Sequence, residues 1–150
     1  MKSGNQIEIL IADDDAEDRM LVIDALKESR LNNNVQEVEN GEELLQFLLN
    51  KGKYSDKKKF PTPGIILLDL NMPKKDGREA LKEIKENKKL RKIPIIVLTT
   101  SKAEEDILKT YDLGVSSYIT KPVTFSSMVD VMKTLNKYWF EIVDLPETKK

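Results

Sequence analysis

At 150 residues, with 39% hydrophobic content, the chain fits one domain closed around a single core. Its formal charge of -1, from 25 basic and 26 acidic residues, gives no electrostatic footprint for DNA or RNA. It contains no cysteine and no histidine, which excludes disulfides, thiolate nucleophiles, Ser-His-Asp catalysis and zinc sites of the usual kind. Without histidine the chain cannot itself carry phosphate on an imidazole, and any metal must be held by oxygen, which favours a hard cation such as Mg²⁺. No apolar run approaches the ~20 residues of a membrane span, and the first residues do not read as a signal peptide. A soluble, cytoplasmic chain with no membrane or nucleic-acid partner is expected.

Along the chain, apolar runs suited to strands alternate with segments of helical period. The first strand is expected over Ile7–Ala12, followed by a helix over Ala16–Ser29 with Met20, Ile23 and Leu26 on its apolar face. Val35–Val38 reads as the second strand and Glu42–Asn50 as the second helix, with Asn40 as cap. The basic segment from Lys51 to Pro63 has no period and reads as an exposed, solvated loop. Gly64–Leu70 and Pro94–Thr99 are almost continuously apolar, as strands buried on both faces of a parallel sheet are. Helices over Arg78–Asn87 and Ala103–Asp112 start at capping-box spacings, Asp76 with Glu79 and Ser101 with Glu104. A fifth strand over Val115–Ile119 and a last helix over Phe125–Val143, capped by Thr124, complete five strand–helix pairs. Right-handed crossovers then give an α/β fold, a doubly wound parallel sheet with helices on both faces and ligands at the carboxyl ends of its strands.

The polar residues at those ends carry the chemistry. Asp13 and Asp14 follow the first strand, Asp69 ends the third, Thr99 the fourth and Lys121 the fifth. Adjacent strands lie about 5 Å apart, so these side chains converge on one cleft. Two carboxylates about 4 Å apart repel by about 4 kcal/mol at an effective dielectric of about 20, so three need either raised pKa values or a cation. Lys121 supplies one positive charge. A divalent metal held by Asp13, Asp14, Asp69, a backbone carbonyl at Asn71 and waters would supply the rest, leaving Asp15 to cap the first helix. Taken alone, an acidic run after a strand is merely a favourable helix start, and Thr99 or Tyr118 an ordinary strand residue. Their joint placement carries the argument.

These residues give the chain a family resemblance. The acidic pair Asp13-Asp14, Asp69 in "LLDLNMPKKDG", Thr99 in "LTTS", Tyr118 in "SYITKP" and Lys121-Pro122 resemble a response-regulator receiver domain over residues 7–143. Residues 1–6 are left as an N-terminal extension and 144–150 as a tail. The resemblance implies a flavodoxin-like five-stranded parallel sheet in the order 2-1-3-4-5. It implies phosphoryl transfer from a sensor histidine kinase to Asp69, with Mg²⁺ on Asp13, Asp14, Asp69 and the Asn71 carbonyl. Lys121 would pair with a phosphoryl oxygen and Thr99 would offer its hydroxyl to another. Movement of Thr99 would then admit the Tyr118 ring, remodelling the face made by the fourth helix, fifth strand and fifth helix. A cis Lys121–Pro122 bond is expected, aiming the ammonium into the cleft. "LLDLNMPKKDGREAL", "IPIIVLTTSKAEEDI" and "WFEIVDLP" are closer to the short single-domain regulators paired with phytochrome-type histidine kinases.

The last helix holds more apolar surface than one core stripe requires. Met128, Leu135, Trp139 and Phe140 are expected to mediate a homodimer through that helix and the fifth strand. Two other functions compete: an unphosphorylated pseudo-receiver scaffold, and an aspartate-nucleophile phosphatase. The phosphatase would carry a second Asp where Asn71 stands. The receiver is expected to catalyse only its own phosphorylation and dephosphorylation.

Overall fold

The computed structural model describes residues 7–29 and 34–138. Five short strands, β1 (Ile9–Ala12), β2 (Val35–Val38), β3 (Ile65–Leu68), β4 (Ile95–Thr99) and β5 (Ser117–Thr120), pair in parallel in the order β2-β1-β3-β4-β5. Helices α1 (Ala16–Glu28), α2 (Gly41–Leu48), α3 (Gly77–Glu86), α4 (Glu104–Asp112) and α5 (Phe125–Leu135) follow the strands in turn. All residues of β1, β3 and β4 are buried, as the unbroken apolar runs require of strands covered on both faces. One core packs Leu44, Phe47, Leu81 and Ile84 of α2 and α3 on the sheet; the other packs Val22 and Ala25 of α1 with Met128 and Met132 of α5. Among the described residues, no helix is long and apolar enough to cross a membrane.

The caps follow the sequence closely. The Asp15 carboxylate accepts the Glu17 and Asp18 amides, Asn40 accepts Glu43, Asp76 forms a capping box with Glu79, and Thr124 accepts Ser127. Helix α4 is the exception. It starts at Glu104 after Ala103, without a side-chain cap; the Ser101 hydroxyl donates to Asp106 and accepts the Ala103 amide.

Other expectations need correction. The buried stripe of α1 is Val22, Ala25 and Leu26, so Met20, at 63% exposure, faces solvent. Residues 51–63 are more than a solvated loop. A 3-10 turn at Gly52–Tyr54 buries Tyr54, whose ring lies 5.2 Å from Phe47 and 5.1 Å from Phe60. The Asn50 amide, at positive φ, donates to the Tyr54 and Phe60 carbonyls and fixes that turn. No peptide bond among the described residues is cis, so Lys121–Pro122 is trans. Trans is the cheaper isomer, and it already delivers the ammonium to the carboxylates. Met128 and Leu135, expected at a dimer interface, are buried at 1% and 9% exposure in the core beneath α5. Trp139, Phe140 and the rest of the expected last helix lie outside the described residues.

Candidate functional site

The site is assembled by backbone that leaves little freedom. The Asp13 amide donates to the Val38 carbonyl and the Asp69 amide to the Ala12 carbonyl, extending the ladder past the strand ends and holding both aspartates on one edge. Behind them Gly77 opens α3 hard against the chain. A Cβ there would stand 2.4 Å from the Asp69 carbonyl oxygen and 2.7 Å from the Leu70 Cα. The Gly77 amide donates to the Leu70 carbonyl, so the segment carrying Asp69 is clamped between β1 and the start of α3. Gly41 seals the far side in the same way, donating to the Lys75 carbonyl.

Asp13 and Asp69 are buried, while Asp14 is exposed. One carboxylate oxygen from each of the three can lie within 4.8 Å of the others. The Lys121 ammonium enters between them, 2.8 Å from Asp13 Oδ2 and 3.1 Å from Asp69 Oδ2. Burial alone would lower the Lys121 pKa, but the hydrogen bonds its ammonium donates to Asp13 and Asp18 and the charges of Asp13 and Asp69 outweigh it and raise it above the usual lysine range. Burial raises the Asp13 carboxyl above its ordinary value, with the Asp69 charge acting in the same direction; Lys121 and the Asp15 amide oppose it. The Thr99 hydroxyl, fully buried, donates to Asp69 Oδ1 at 2.7 Å, and the Asn71 amide donates to the same oxygen at 3.2 Å. The half-buried Tyr118 ring packs on the α2–α3 core, and its hydroxyl donates to the Ser101 carbonyl at 3.0 Å.

Asp13, Asp14, Asp69, Thr99 and Lys121 are thus brought together, with Tyr118 joined to Thr99 by two hydrogen bonds through Ser101. Sequence reasoning missed two groups. Asp18, in the first turn of α1, makes the shortest contact to Lys121, at 2.7 Å, and no spacing in the sequence pointed to it. The second group is Arg78, which grips Asp106 with Nε–Oδ1 and Nη2–Oδ2 distances of 2.7 and 2.6 Å. A cation in the first turn of a helix opposes the macrodipole, and that misplacement was the available signal of a specific partner.

The donor set is all carboxylate oxygen, anionic, partly buried and open on the Asp14 side. It fits a divalent hard cation and no thiophilic metal. An acidic cluster that can hold a divalent cation around one buried carboxylate, flanked by a lysine and a hydroxyl, is suited to receiving a charged group on that carboxylate.

Known proteins are similar to this chain in sequence and fold. Response regulator Rcp1 of Synechocystis is 40% identical over 138 residues, covering 92% of each chain. The crystal structure of the phosphorylated cyanobacterial phytochrome response regulator RcpA superposes with a TM-score of 0.87 at 39% identity, covering 95% of this chain and 99% of that one. The Mn²⁺-bound form of Rcp1 superposes with a TM-score of 0.85 at 39% identity, over 94% of this chain and 99% of that one. Residues 9–133 match the family model of the response regulator receiver domain, and with the fold and the acidic edge in agreement, the chain belongs to that family.

Proposed function

We propose that the protein is a single-domain response regulator that accepts a phosphoryl group from a sensor histidine kinase onto Asp69. The observation that carries this reading is the Asp69 carboxylate itself. It is buried at 6% exposure, with one oxygen toward Thr99 and the other toward Lys121, beside the Asp13–Asp14 pair. In the reaction, an Asp69 oxygen attacks phosphorus, a P–O bond forms, and the P–N bond to the donor imidazole breaks, its nitrogen taking a proton. A bound Mg²⁺, held by Asp13, Asp14, Asp69 and the Asn71 carbonyl, would neutralise charge on the transferred group. Lys121 is placed to pair with one phosphoryl oxygen and Thr99 to donate to another, so catalysis is mostly positioning and electrostatics. The reading includes a switch in which Thr99 follows the phosphoryl group and Tyr118 responds.

The names of the relatives support a phytochrome-type kinase as donor. The intact acidic pair, Asp69 and Lys121 weigh against a pseudo-receiver scaffold. Asn71, in the place of a second catalytic Asp, weighs against a phosphatase. A homodimer through the last helix and β5 belongs to the same reading. It is supported by the position of β5 at the sheet edge and by the exposure of Val123 and Phe125, at 97% and 43%.

Phosphotransfer tests the reading. A phytochrome-type histidine kinase, autophosphorylated with labelled ATP, is mixed with the protein and Mg²⁺. Label moving to wild type but not to Asp69→Asn supports it; label retained on the kinase rejects that donor. Continuous release of phosphate from monoesters would establish the phosphatase instead. Sedimentation at several concentrations tests the dimer, which an unchanging monomer refutes.

A further inference from the structure

Helix α4 is attached to the body of the protein in an unusual way. Its buried residues are Asp106 and Thr110, both polar, while Leu108 and Tyr111 lie 63% and 48% exposed. No fully buried apolar side chain anchors it. Its N-terminal end is held by Arg78 of α3, whose guanidinium forks onto both oxygens of Asp106. That pair is tied into the acceptor site by a ring of hydrogen bonds. Asp106 Oδ2 accepts the Ser101 hydroxyl at 2.7 Å; the Ser101 amide donates to Thr99 Oγ1 at 3.4 Å; Thr99 donates to Asp69 Oδ1. On the other side Arg78 reaches Asn71 Oδ1 at 3.4 Å, and the Asn71 amide returns to Asp69 Oδ1. Arg78 is itself fixed by Asp76, with Nη1 2.9 Å from Oδ2, and follows Gly77, which the Asp69 and Leu70 backbone confines.

We propose that Arg78 and Asp106 are positioning residues for phosphorylation of Asp69: their forked pair holds the Thr99–Ser101 segment so that the Thr99 hydroxyl and the Ser101 carbonyl are pre-aligned with Asp69 and Tyr118. The proposal rests on the reading of Asp69 as phosphoacceptor. Neither residue touches the acceptor oxygens. Their influence runs mainly through Ser101, which is bonded to Asp106, Thr99 and Tyr118 alike. A fork between planar groups fixes direction as well as distance, which a point charge does not.

The test is a double-mutant cycle on the full chain, with acetyl phosphate and Mg²⁺ as the phosphodonor and intact mass as the readout of rate. Arg78→Ala is expected to slow phosphorylation about tenfold, since a misaligned hydroxyl is lost as a transition-state donor. In a Thr99→Val background the same change is expected to cost less than about twofold, because the hydroxyl it positions is gone. Arg78→Lys, which keeps the charge and loses the fork, is expected to fall between wild type and Arg78→Ala, and it replaces Arg78→Ala in the cycle if the latter does not fold. Amide exchange supplies a second readout. Exchange at Ser101 is expected to quicken in Arg78→Lys while that at Lys121, bonded to the Thr99 carbonyl, stays unchanged. Equal slowing in both backgrounds, or no slowing with unaltered Ser101 exchange, overturns the proposal and leaves Arg78 as a packing residue. Wild type that takes up no phosphoryl group overturns the reading of Asp69, and the proposal with it.

Discussion

Helices α4 and α5 flank the same edge strand, yet they are bound to the sheet by different physics. Helix α5 buries Met128, Val129, Met132 and Leu135, and the hydrophobic effect holds it whatever the state of the acidic site. Helix α4 fully buries only Asp106 and Thr110; a directional ion pair holds its first turn, and the Tyr111 hydroxyl accepts the Tyr118 amide of β5. Burial of apolar area tolerates small shifts, whereas a bidentate pair has one good geometry and is lost when an end moves. The contrast teaches where this fold can afford to change. The helix beside Thr99 is the one whose attachment can be remade without opening the core.

Substitutions that attack one attachment and spare the other sharpen this contrast. The largest effect is expected at Met132→Ala, which empties a fully buried site and should cost about 2–5 kcal/mol in urea unfolding while leaving the phosphorylation rate of the folded protein unchanged. Gly77→Ala pushes a methyl against the Asp69 carbonyl, and about 1–3 kcal/mol of stability should be lost along with slower phosphorylation, because the clamp behind the acceptor is forced open. Asp14→Asn removes an exposed carboxylate of the cation cluster; affinity for Mg²⁺, followed by calorimetry, should weaken at least about tenfold with little change in unfolding midpoint.

A pH series isolates the α4 attachment. Hydrogen bonding from Arg78, then from Ser101, holds the Asp106 carboxyl at about 2, against 3.8 for the ordinary group. A carboxyl depressed in the folded state contributes stability above its unfolded pKa and loses it as pH falls through the folded one. The stability difference between wild type and Asp106→Asn should therefore be full above about pH 4 and shrink towards pH 2. A constant difference across that window would mean that the charged Arg78–Asp106 pair does not hold α4. Smallest of all should be Leu108→Ser on the exposed side of α4, within about 0.5 kcal/mol of wild type.

Much of this was legible before the structure. The apolar runs placed every strand, and strand ends in a parallel sheet necessarily share an edge, so Asp13, Asp69, Thr99 and Lys121 could be brought together by topology alone. What escaped was set by contacts that no local period encodes. Tyr54 is buried by rings six and seven positions away in a segment without alternation, where clustered lysines dominate the reading. Asp18 meets Lys121 across 103 positions and Arg78 meets Asp106 across 28, through side-chain reach rather than spacing. Met128 and Leu135 read as surplus apolar surface only because the depth of the α1–α5 core is invisible in a helical wheel. The fifth strand starts two residues later and ends one later than the expected Val115–Ile119: Val115 is apolar and buried, but Gly114, at φ +97°, makes it part of the turn into β5.

In the proposed function, carboxylates from separate strand tips, with Lys121 among them, make Asp69 a cation-dependent phosphoacceptor. The most direct test is the intact mass of the full chain after incubation with acetyl phosphate, with and without Mg²⁺, followed by peptide mapping of the modified site. The gain expected is one phosphoryl group, on Asp69, requiring Mg²⁺ and absent from Asp69→Asn. Uptake that proceeds equally in a chelator, or that persists in Asp69→Asn, would contradict the account.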